Sequence, residues 1–269
     1  MNDRSQPLGD PLISGSLSEW FATSFATVRR SLVPLVVIQL VVFVPVAVIV
    51  GLLGGLGAFG EAEPLAPSFG FDYVLATESA TVRLLSAVLG TLGLAASVFV
   101  IVRDAAGRAW TAGDALGFAG RRFLPMIGWI VLSVVLTAIG YVLLILPGIY
   151  LTVVFGGTLI GVLTIERGGL GRTFQLVNPR FFGTLGRLLL LAVLSFLYSV
   201  VAMLVAASPG LFFSSGEGLS TVVALLTNLL TIPLIVFTTA ALVVLYGELR
   251  ADLEPGTTTG TFAEEIDRR

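Results

Sequence analysis

The stretch FLPMIGWIVLSVVLTAIGYVLLILPGIYLTVVFGGTLIGVLTI, from Phe123 to Ile165, decides the fold because it contains no charged residue. A helix needs roughly 20 residues to cross the ~30 Å hydrocarbon layer of a bilayer. The stretch is too long for one crossing and long enough for two. Pro147 and Gly148 interrupt it, and this pair favours a turn. We therefore predict a transmembrane helical hairpin that turns at Pro147–Gly148.

The composition of the whole chain agrees with a membrane protein. Of its 269 residues, 56% are hydrophobic and 12% are charged, whereas soluble domains average roughly 45–50% and about 25%. The mean hydropathy is +1.00. A single water-soluble core could not bury so much apolar surface, so lipid is expected to replace water around much of the chain.

Apolar stretches of spanning length occur six times, and none of them contains Asp, Glu, Lys or Arg. They cover Leu32–Gly55, Leu84–Val102, Phe123–Leu146, Gly148–Ile165, Leu188–Ala207 and Thr221–Leu245. We predict an all-α, polytopic bundle of six transmembrane helices, in which residues 16–250 form a single membrane domain. The polar segments on either side, residues 1–15 and 251–269, are predicted to be a flexible N-terminus and a disordered tail.

The distribution of arginine predicts the orientation, because basic residues beside the spans are retained in the cytoplasm. All fifteen basic residues are arginine, and only Arg83 falls on the side opposite the others. That opposite side also carries Glu61 and Glu63. We predict that both termini are cytoplasmic. The absence of lysine, with abundant Ala, Gly, Val and Leu, indicates a high-GC bacterium and hence its plasma (inner) membrane.

Short amphipathic segments that end in or near arginine precede the first, third and fifth spans. They are Ser16–Arg30, Thr111–Arg122 and Leu170–Phe181. Apolar side chains at helical spacing on one face are typical of helices that lie at a membrane surface. We predict three short interfacial helices, with Trp20 and its aromatic neighbours as an anchor. Each would precede a transmembrane hairpin, which gives a three-fold repeat.

Two of these segments begin with the pattern of a capping box. Ser16 is followed three residues later by Glu19, and Thr111 by Asp114. In this arrangement the hydroxyl and the carboxylate satisfy backbone amides that have no partner in the first helical turn. The pattern predicts that helices begin directly after Ser16 and Thr111.

Arginines beside the amphipathic segments are candidates for contacts with anionic lipid headgroups. Each basic residue near an anionic surface contributes on the order of 1 kcal/mol to membrane attraction. Retention on the cytoplasmic side explains the same residues without a specific site, so both interpretations stay open. The candidates are Arg29, Arg30, Arg121, Arg122, Arg172 and Arg180.

The most polar patch inside a span consists of Asn228 and Thr231, close to Pro233. A proline in a helix frees a backbone carbonyl one turn earlier, and the patch could line a small polar intramembrane site. The alternative is hydrogen bonding between helices at a proline bend, which is common in helical bundles. A second feature, the Gly157 and Gly161 pair, predicts close helix packing, either within the chain or in a homo-oligomer.

Catalytic chemistry has little support in the sequence. Cysteine and histidine are both absent, which removes thiolate nucleophiles, imidazole bases and the usual zinc ligands. No nucleotide-binding or protease motif is present. The carboxylates that remain as candidates are Glu166 and the five of the predicted extracytoplasmic loops, Glu61, Glu63, Asp72, Glu78 and Glu217. We predict no catalytic site, no metal and no cofactor, and the net charge of −2 gives no indication of a nucleic-acid partner.

Three strings resemble a known family: LLILPGIYLTVVF (Leu143–Phe155), TIERGGLGRTFQLVNPRFFGTLGRLLL (Thr164–Leu190) and LYGELR (Leu245–Arg250). They are similar to bacterial membrane proteins related to the membrane domain fused to some glycerophosphodiester phosphodiesterases. The positions that match are Pro147, Gly148, Glu166, Arg172, Arg180, Tyr246, Glu248, Leu249 and Arg250, with Gly247 as a departure. The chain has no phosphodiesterase domain, so the resemblance implies a membrane module without the hydrolase activity.

These features lead to a functional expectation. The chain is expected to be a non-enzymatic integral membrane protein that interacts with membrane lipids or with a partner protein, in envelope homeostasis. One alternative is a transporter or channel component for an apolar or lipid-like substrate. Another is a membrane anchor or regulatory subunit of a neighbouring enzyme.

Overall fold

A computed structural model describes residues 9–55, 80–211 and 217–268, and every regular element in these ranges is helical. A π-helical turn, Val162–Glu166, follows α4, and the 3-10 turns Asn178–Arg180 and Ser208–Leu211 flank α6. The helices are α1 (Leu17–Gly55), α2 (Ala80–Ala105), α3 (Ala112–Leu143), α4 (Ile145–Gly161), α5 (Leu170–Val177), α6 (Phe181–Ala207), α7 (Glu217–Leu253) and α8 (Thr259–Asp267).

The predicted all-α membrane fold is confirmed in its coarse form. Five helical segments among the described residues are long and apolar enough to cross a bilayer. They are Leu17–Val42, Ala112–Leu143, Ile145–Glu166, Leu170–Ala207 and Leu229–Leu253. The remaining predicted span, Leu84–Val102, lies within α2, and the count of six stays a prediction.

The spanning helices differ sharply in how deeply they are buried. Of the most apolar stretch in each, 67% is buried in the α4 segment and 56% in α7, against 17% in α3 and 6% in α6. The part of α2 from Ala95 to Val102 is also buried. The core therefore lies between α2, α4 and α7, while α3 and α6 leave most of their apolar side chains exposed.

Two glycines of α4 allow this core to close. A Cβ atom at Gly157 would lie 2.9 Å from Cγ2 of Thr184 in α6, and one at Gly161 would lie 2.3 Å from the Tyr246 ring in α7. No side chain fits at these distances without a shift of its neighbours. The small-residue face of α4 is thus used for packing within the chain, and a homo-oligomer stays a prediction.

The hairpin between α3 and α4 turns earlier than predicted. Leu144 carries the break, with extended backbone at φ −162° and ψ 146°, so the prediction of a turn at Pro147–Gly148 is wrong by three residues. Pro147 instead lies in the first turn of α4, where its missing N–H has no helical acceptor to lose. Gly148 lets the Tyr141 ring pack against α4, because a Cβ there would approach the ring to 2.4 Å.

The predicted interfacial helices are separate elements only in part. The first segment is continuous with its span in α1, with a kink at Ser31 (φ −107°, ψ 18°). The second is continuous with its span in α3, because Pro125 lies inside the helix without ending it. The third forms a helix of its own, α5, which the 3-10 turn separates from α6.

Both predicted helix starts are confirmed. Thr111 accepts a hydrogen bond from the Asp114 amide (3.1 Å), and the Asp114 carboxylate accepts one from the Thr111 amide (3.0 Å). At the start of α1, Ser16 Oγ accepts a hydrogen bond from the Glu19 amide at 3.2 Å, while the Glu19 carboxylate accepts one from Gly15.

Trp20 is a core residue, which corrects its assignment as an anchor at the membrane surface. Its side chain is fully buried, and its indole Nε1 donates a 3.0 Å hydrogen bond to the carbonyl oxygen of Ala241 in α7. Phe25, one turn further along α1, is more than half exposed and packs against the Phe237 ring. The indole therefore holds α1 on α7.

The described parts of both termini are packed, unlike the predicted flexible segments. Thr259–Asp267 forms α8, which begins with a capping box between Thr258 and Thr261. The helix buries an apolar face of Phe262, Ala263 and Ile266. At the other end, Leu12 is fully buried, and Asp10 accepts a 2.9 Å hydrogen bond from the Thr259 amide. The polar composition of the tail conceals three apolar residues at helical spacing, which stabilise it by burial.

Candidate functional site

Charged side chains gather where the N-terminal segment, the π-helical turn, the end of α7 and α8 meet. One group, here called the Glu166 cluster, joins the π-helical turn, α5, α7 and α8 through hydrogen bonds and ion pairs. Its members are Glu166, Arg172, Tyr246, Arg250, Glu254 and Glu265.

Glu166 receives a hydrogen bond on each carboxylate oxygen. The Tyr246 hydroxyl donates to Oε1 at 2.7 Å, and Arg172 Nε donates to Oε2 at 2.6 Å. The Tyr246 oxygen in turn accepts from Arg250 Nη1 at 2.9 Å. Because Tyr246 is fully buried, this chain of contacts satisfies polar groups that would be costly without partners.

Arg250 fixes α8 against α7. Its Nη1 and Nη2 atoms each donate to one oxygen of Glu265 at 2.6 Å, the paired geometry that gives the strongest arginine–carboxylate contacts. Its Nε also donates to Glu254 at 3.1 Å. The guanidinium lies over the Phe262 ring, 5.5 Å from the centroid, so the same side chain is held by charge and by packing.

A second group, the Glu248 cluster, consists of Ser14, Arg180, Arg187, Glu248 and Asp252. The Glu248 carboxylate is buried, and it accepts hydrogen bonds from Ser14 Oγ at 2.8 Å and from Arg187 Nη2 at 2.5 Å. Arg180 pairs with Asp252 at 2.6 Å. This cluster ties the N-terminal segment and α6 to α7.

The far end of α8 closes on the loop after α2. The two carboxylate oxygens of Asp267 accept hydrogen bonds from Arg103 at 2.5 Å and from Arg108 at 2.6 Å. The Arg268 carbonyl accepts a hydrogen bond from Arg167. These contacts make α8 one wall of a recess.

The recess lies between α2, α3, the π-helical end of α4 and α8, and has a volume of about 1000 Å³. Five arginines and two aspartates, Asp114 and Asp267, line it. The arginines are Arg103, Arg121, Arg122, Arg167 and Arg268. Its other walls are largely apolar and include Phe118, Met126, Trp129 and Leu163. This is a strongly cationic recess with an apolar side.

Arg122 is the unusual residue of this recess. It is only 8% exposed, and its Nη1 and Nη2 atoms have no hydrogen-bond partner within the described parts of the chain. Its guanidinium lies over the Phe118 ring at 4.3 Å from the centroid. The surrounding charges include Arg121 and Arg167, which have the same sign. Burying such a charge is costly unless an anion pairs with it.

The six arginines predicted to contact headgroups differ in their surroundings: some are ion-paired, some are exposed and some line the recess. Arg172 and Arg180 are held in the Glu166 and Glu248 clusters, and Arg30 lies 3.5 Å from Asp104. Arg29 and Arg121 are exposed. Arg121 and Arg122 line the recess. Contact with lipid headgroups stays a prediction for all six.

The predicted polar intramembrane patch lies in α7. The side chain of Asn228 falls outside the described side chains, and Thr231 is partly buried. Nearby, the Tyr198 hydroxyl of α6 donates a 2.7 Å hydrogen bond to the Leu230 carbonyl, close to Pro233. This contact is a hydrogen bond between helices close to a proline, and it involves neither Asn228 nor Thr231, so both interpretations of the patch stay predictions.

The sequence did not indicate that residues after the π-helical turn and in or after α8 would line a recess. Arg167 has left-handed backbone at φ 59°, unusual for a residue other than glycine, and Arg268 lies in the tail predicted to be disordered. The run from Glu166 to Gly169 offered one signal, since charged residues followed by two glycines favour an irregular helix end.

Comparison with protein-family models, curated proteins and solved structures finds no match to this chain.

Proposed function

We propose that this chain is an integral membrane module that interacts with lipid and has no catalytic activity of its own. The observation that supports it is the apolar surface of α3 and α6, which the other described parts of the chain leave uncovered. Phe182, Phe196 and Leu204 of α6 are 83%, 65% and 67% exposed. Side chains of this kind favour acyl chains over water. Both helices carry arginine near their N-terminal ends, Arg121 and Arg122 in α3 and Arg187 in α6.

Glu166 is the one candidate carboxylate whose side chain the structure describes, and the candidates of the predicted extracytoplasmic loops lie outside the described side chains. The environments of Glu166 and of the buried Glu248 favour a structural role. Glu166 accepts hydrogen bonds from Tyr246 and Arg172, and the buried Glu248 accepts them from Ser14 and Arg187. A general acid or base must instead reach a substrate with a proton to exchange. We propose that both carboxylates hold helices together.

Co-purification tests the proposed function directly. Protein extracted in a mild detergent and studied by native mass spectrometry is expected to retain phospholipid. Failure to retain any phospholipid would contradict the proposal. Turnover of phosphodiester substrates by the purified protein, if lost in Glu166→Gln, would contradict its non-enzymatic part.

We further propose six membrane crossings in three hairpin units, with both termini in the cytoplasm of a bacterial cell and the spans in its plasma membrane. The contact between Asp10 and Thr259 supports termini on one side. The chain contains no cysteine, so single-cysteine variants can report the side. An impermeant maleimide is expected to label Glu61→Cys on intact cells, and Glu264→Cys only after permeabilisation. The reverse pattern would overturn the orientation.

A relation to the membrane domain of glycerophosphodiester phosphodiesterases is a further proposal. What supports it is that residues from two of the resembling strings meet: Glu166 contacts Tyr246, Arg172 and Arg250. Residues that share one cluster must change together, which is the constraint expected of a family motif. Sequences with unrelated residues at all four positions but with otherwise similar strings would contradict it.

A further inference from the structure

We propose that the arginine-lined recess binds a phosphate group, in an amphiphile that also occupies the apolar wall, with Arg122 as its principal ligand. The inference rests on the proposed lipid interaction and names the class of ligand and its site. The charge of Arg122, the charges of its neighbours and the apolar wall each support the inference.

Arg122 carries a buried charge. Burial of an ionised group without a partner is costly, and proteins usually pair such a group or place it in water. Arg122 has neither, since it is 8% exposed and its two terminal nitrogens have no hydrogen-bond partner among the described residues. An anion in the recess would supply the missing acceptors.

The neighbouring charges specify the anion. Asp267, which also lines the recess, pairs with Arg103 and Arg108 and leaves Arg122 without a partner among the described residues. Arg121 and Arg167 add positive charge beside Arg122. Several guanidinium groups around one point suit a phosphate, whose oxygens can accept hydrogen bonds from different directions, better than they suit a single carboxylate.

The backbone at Arg167 is consistent with a binding site. It follows a π-helical turn and has left-handed geometry at φ 59°, a conformation that costs a side-chain-bearing residue roughly 1–2 kcal/mol. π-helical turns within helices occur frequently at functional sites. Here the turn places Arg167 on the recess wall.

The apolar wall indicates an amphiphile. Met126, Trp129 and Leu163 line the side of the recess that continues along α3, and Trp129 is 38% exposed. Leu124, on the same helix, is 78% exposed. A recess of about 1000 Å³ lies at the upper end of the volumes of pockets that bind small molecules. It can therefore accept a headgroup together with the apolar atoms next to it.

The test compares ligands on purified full-length protein in detergent. The probes are a short-chain phosphatidylglycerol, the zwitterionic phosphatidylcholine of equal chain length, and inorganic phosphate. Phosphatidylglycerol is expected to bind and to raise the unfolding temperature with its concentration, because a ligand of the folded state stabilises it. Arg122→Met, which keeps the length of the side chain and removes its charge, is expected to weaken binding about tenfold or more, equivalent to ~1.4 kcal/mol.

Matched variants keep the result interpretable. Arg83→Met removes the one arginine that is predicted on the opposite side of the membrane, and it is expected to bind like the wild type. Arg122→Met is also expected to unfold at a higher temperature than the wild type without ligand, because the unpaired charge is gone. If Arg122→Met does not fold, Arg167→Gln, which changes an exposed residue, is expected to show the same loss of binding.

The outcomes separate this inference from the proposed function. Phospholipid retained equally by wild type, Arg122→Met and Arg167→Gln would overturn the site and leave the lipid interaction standing. If no phospholipid is retained by the wild type, the proposed function fails. Saturable binding of inorganic phosphate that depends on Arg122, with no added affinity for phosphatidylglycerol, would overturn the amphiphile and identify a soluble phosphate ligand. Phosphatidylcholine, whose choline adds a positive charge, is expected to bind more weakly beside the five arginines, and equal binding of both phospholipids would overturn the recognition of charge by the recess.

Discussion

The Tyr246 hydroxyl donates a 2.7 Å hydrogen bond to Oε1 of Glu166, so the end of α7 is joined to the π-helical end of α4. The same tyrosine ring lies against Gly161, one turn before that end. Packing against Gly161 and hydrogen bonding to Glu166 therefore depend on the same side chain, that of Tyr246. Substitutions of Tyr246 and of Gly161 test the two contacts separately.

Substitution of Tyr246 by phenylalanine should lower stability by about 1–3 kcal/mol, because the partly buried Glu166 and the buried Arg250 each lose a hydrogen-bond partner. Thermal unfolding in detergent measures this. Tyr150→Phe is the control, since it removes a hydroxyl whose hydrogen bond to Asn178 is exposed, and it should change stability little. Equal unfolding temperatures for the two variants would show that the buried network contributes nothing.

Gly161→Ala should be strongly destabilising, whereas Gly156→Ala on the same helix should not. The added methyl at Gly161 would lie 2.3 Å from the Tyr246 ring, and at Gly156 it meets nothing within 4 Å. Overpacking of this kind costs roughly 1–3 kcal/mol or more, while alanine in an open helical position gains up to about 1 kcal/mol. Unfolding temperatures of the two variants give the comparison, and a tolerated Gly161→Ala would contradict the helix packing.

Removal of the Phe262 side chain should detach α8. Phe262 is fully buried against Tyr246 and Arg250, and truncation of a buried phenylalanine to alanine costs roughly 3–5 kcal/mol. Limited proteolysis should then cleave the tail of Phe262→Ala faster than that of the wild type. Glu264→Ala, at an exposed position of the same helix, should be cleaved like the wild type. Rapid cleavage of the wild-type tail would instead favour a disordered segment.

Stability should fall as the pH drops through the range in which Glu254 titrates. Burial alone would raise the pKa of Glu254, but hydrogen bonds from Arg172 and Arg250 lower it below its ordinary value of about 4.5. A lowered pKa means that the contribution is complete above the ordinary value and is lost as the pH falls through the folded value. Glu254→Gln should be less stable than the wild type at pH 7, and the difference should shrink below about pH 4. A difference that grows in acid would contradict the assignment.

The sequence could predict the elements that depend on local patterns. Uncharged apolar stretches predicted the spanning helices, and the Thr111 and Asp114 pair predicted the start of α3. The hairpin turn was misplaced because a proline is equally acceptable in the first turn of a helix. The break lies at Leu144, and leucine gives no local signal that a helix ends.

The candidate site was less predictable, because its geometry depends on contacts between distant segments. Arg122 was a candidate as one of a pair beside a span, but nothing local distinguishes it from Arg29. The difference arises because α8 and the π-helical turn enclose Arg122, whereas Arg29 is exposed. The tail was predicted to be disordered from its composition, and composition averages out the three apolar residues that face the core.

The attachment of α8 also bears on the order of assembly in the cell. The described spanning helices all precede α8 in the chain, so each can enter the bilayer before Phe262 and Glu265 cover Tyr246 and Arg250. The contacts of these two residues with α8 must wait for a segment that leaves the ribosome after those helices. Until then, the Glu166 cluster of a newly inserted molecule is open to the aqueous phase, where chaperones and proteases can reach it.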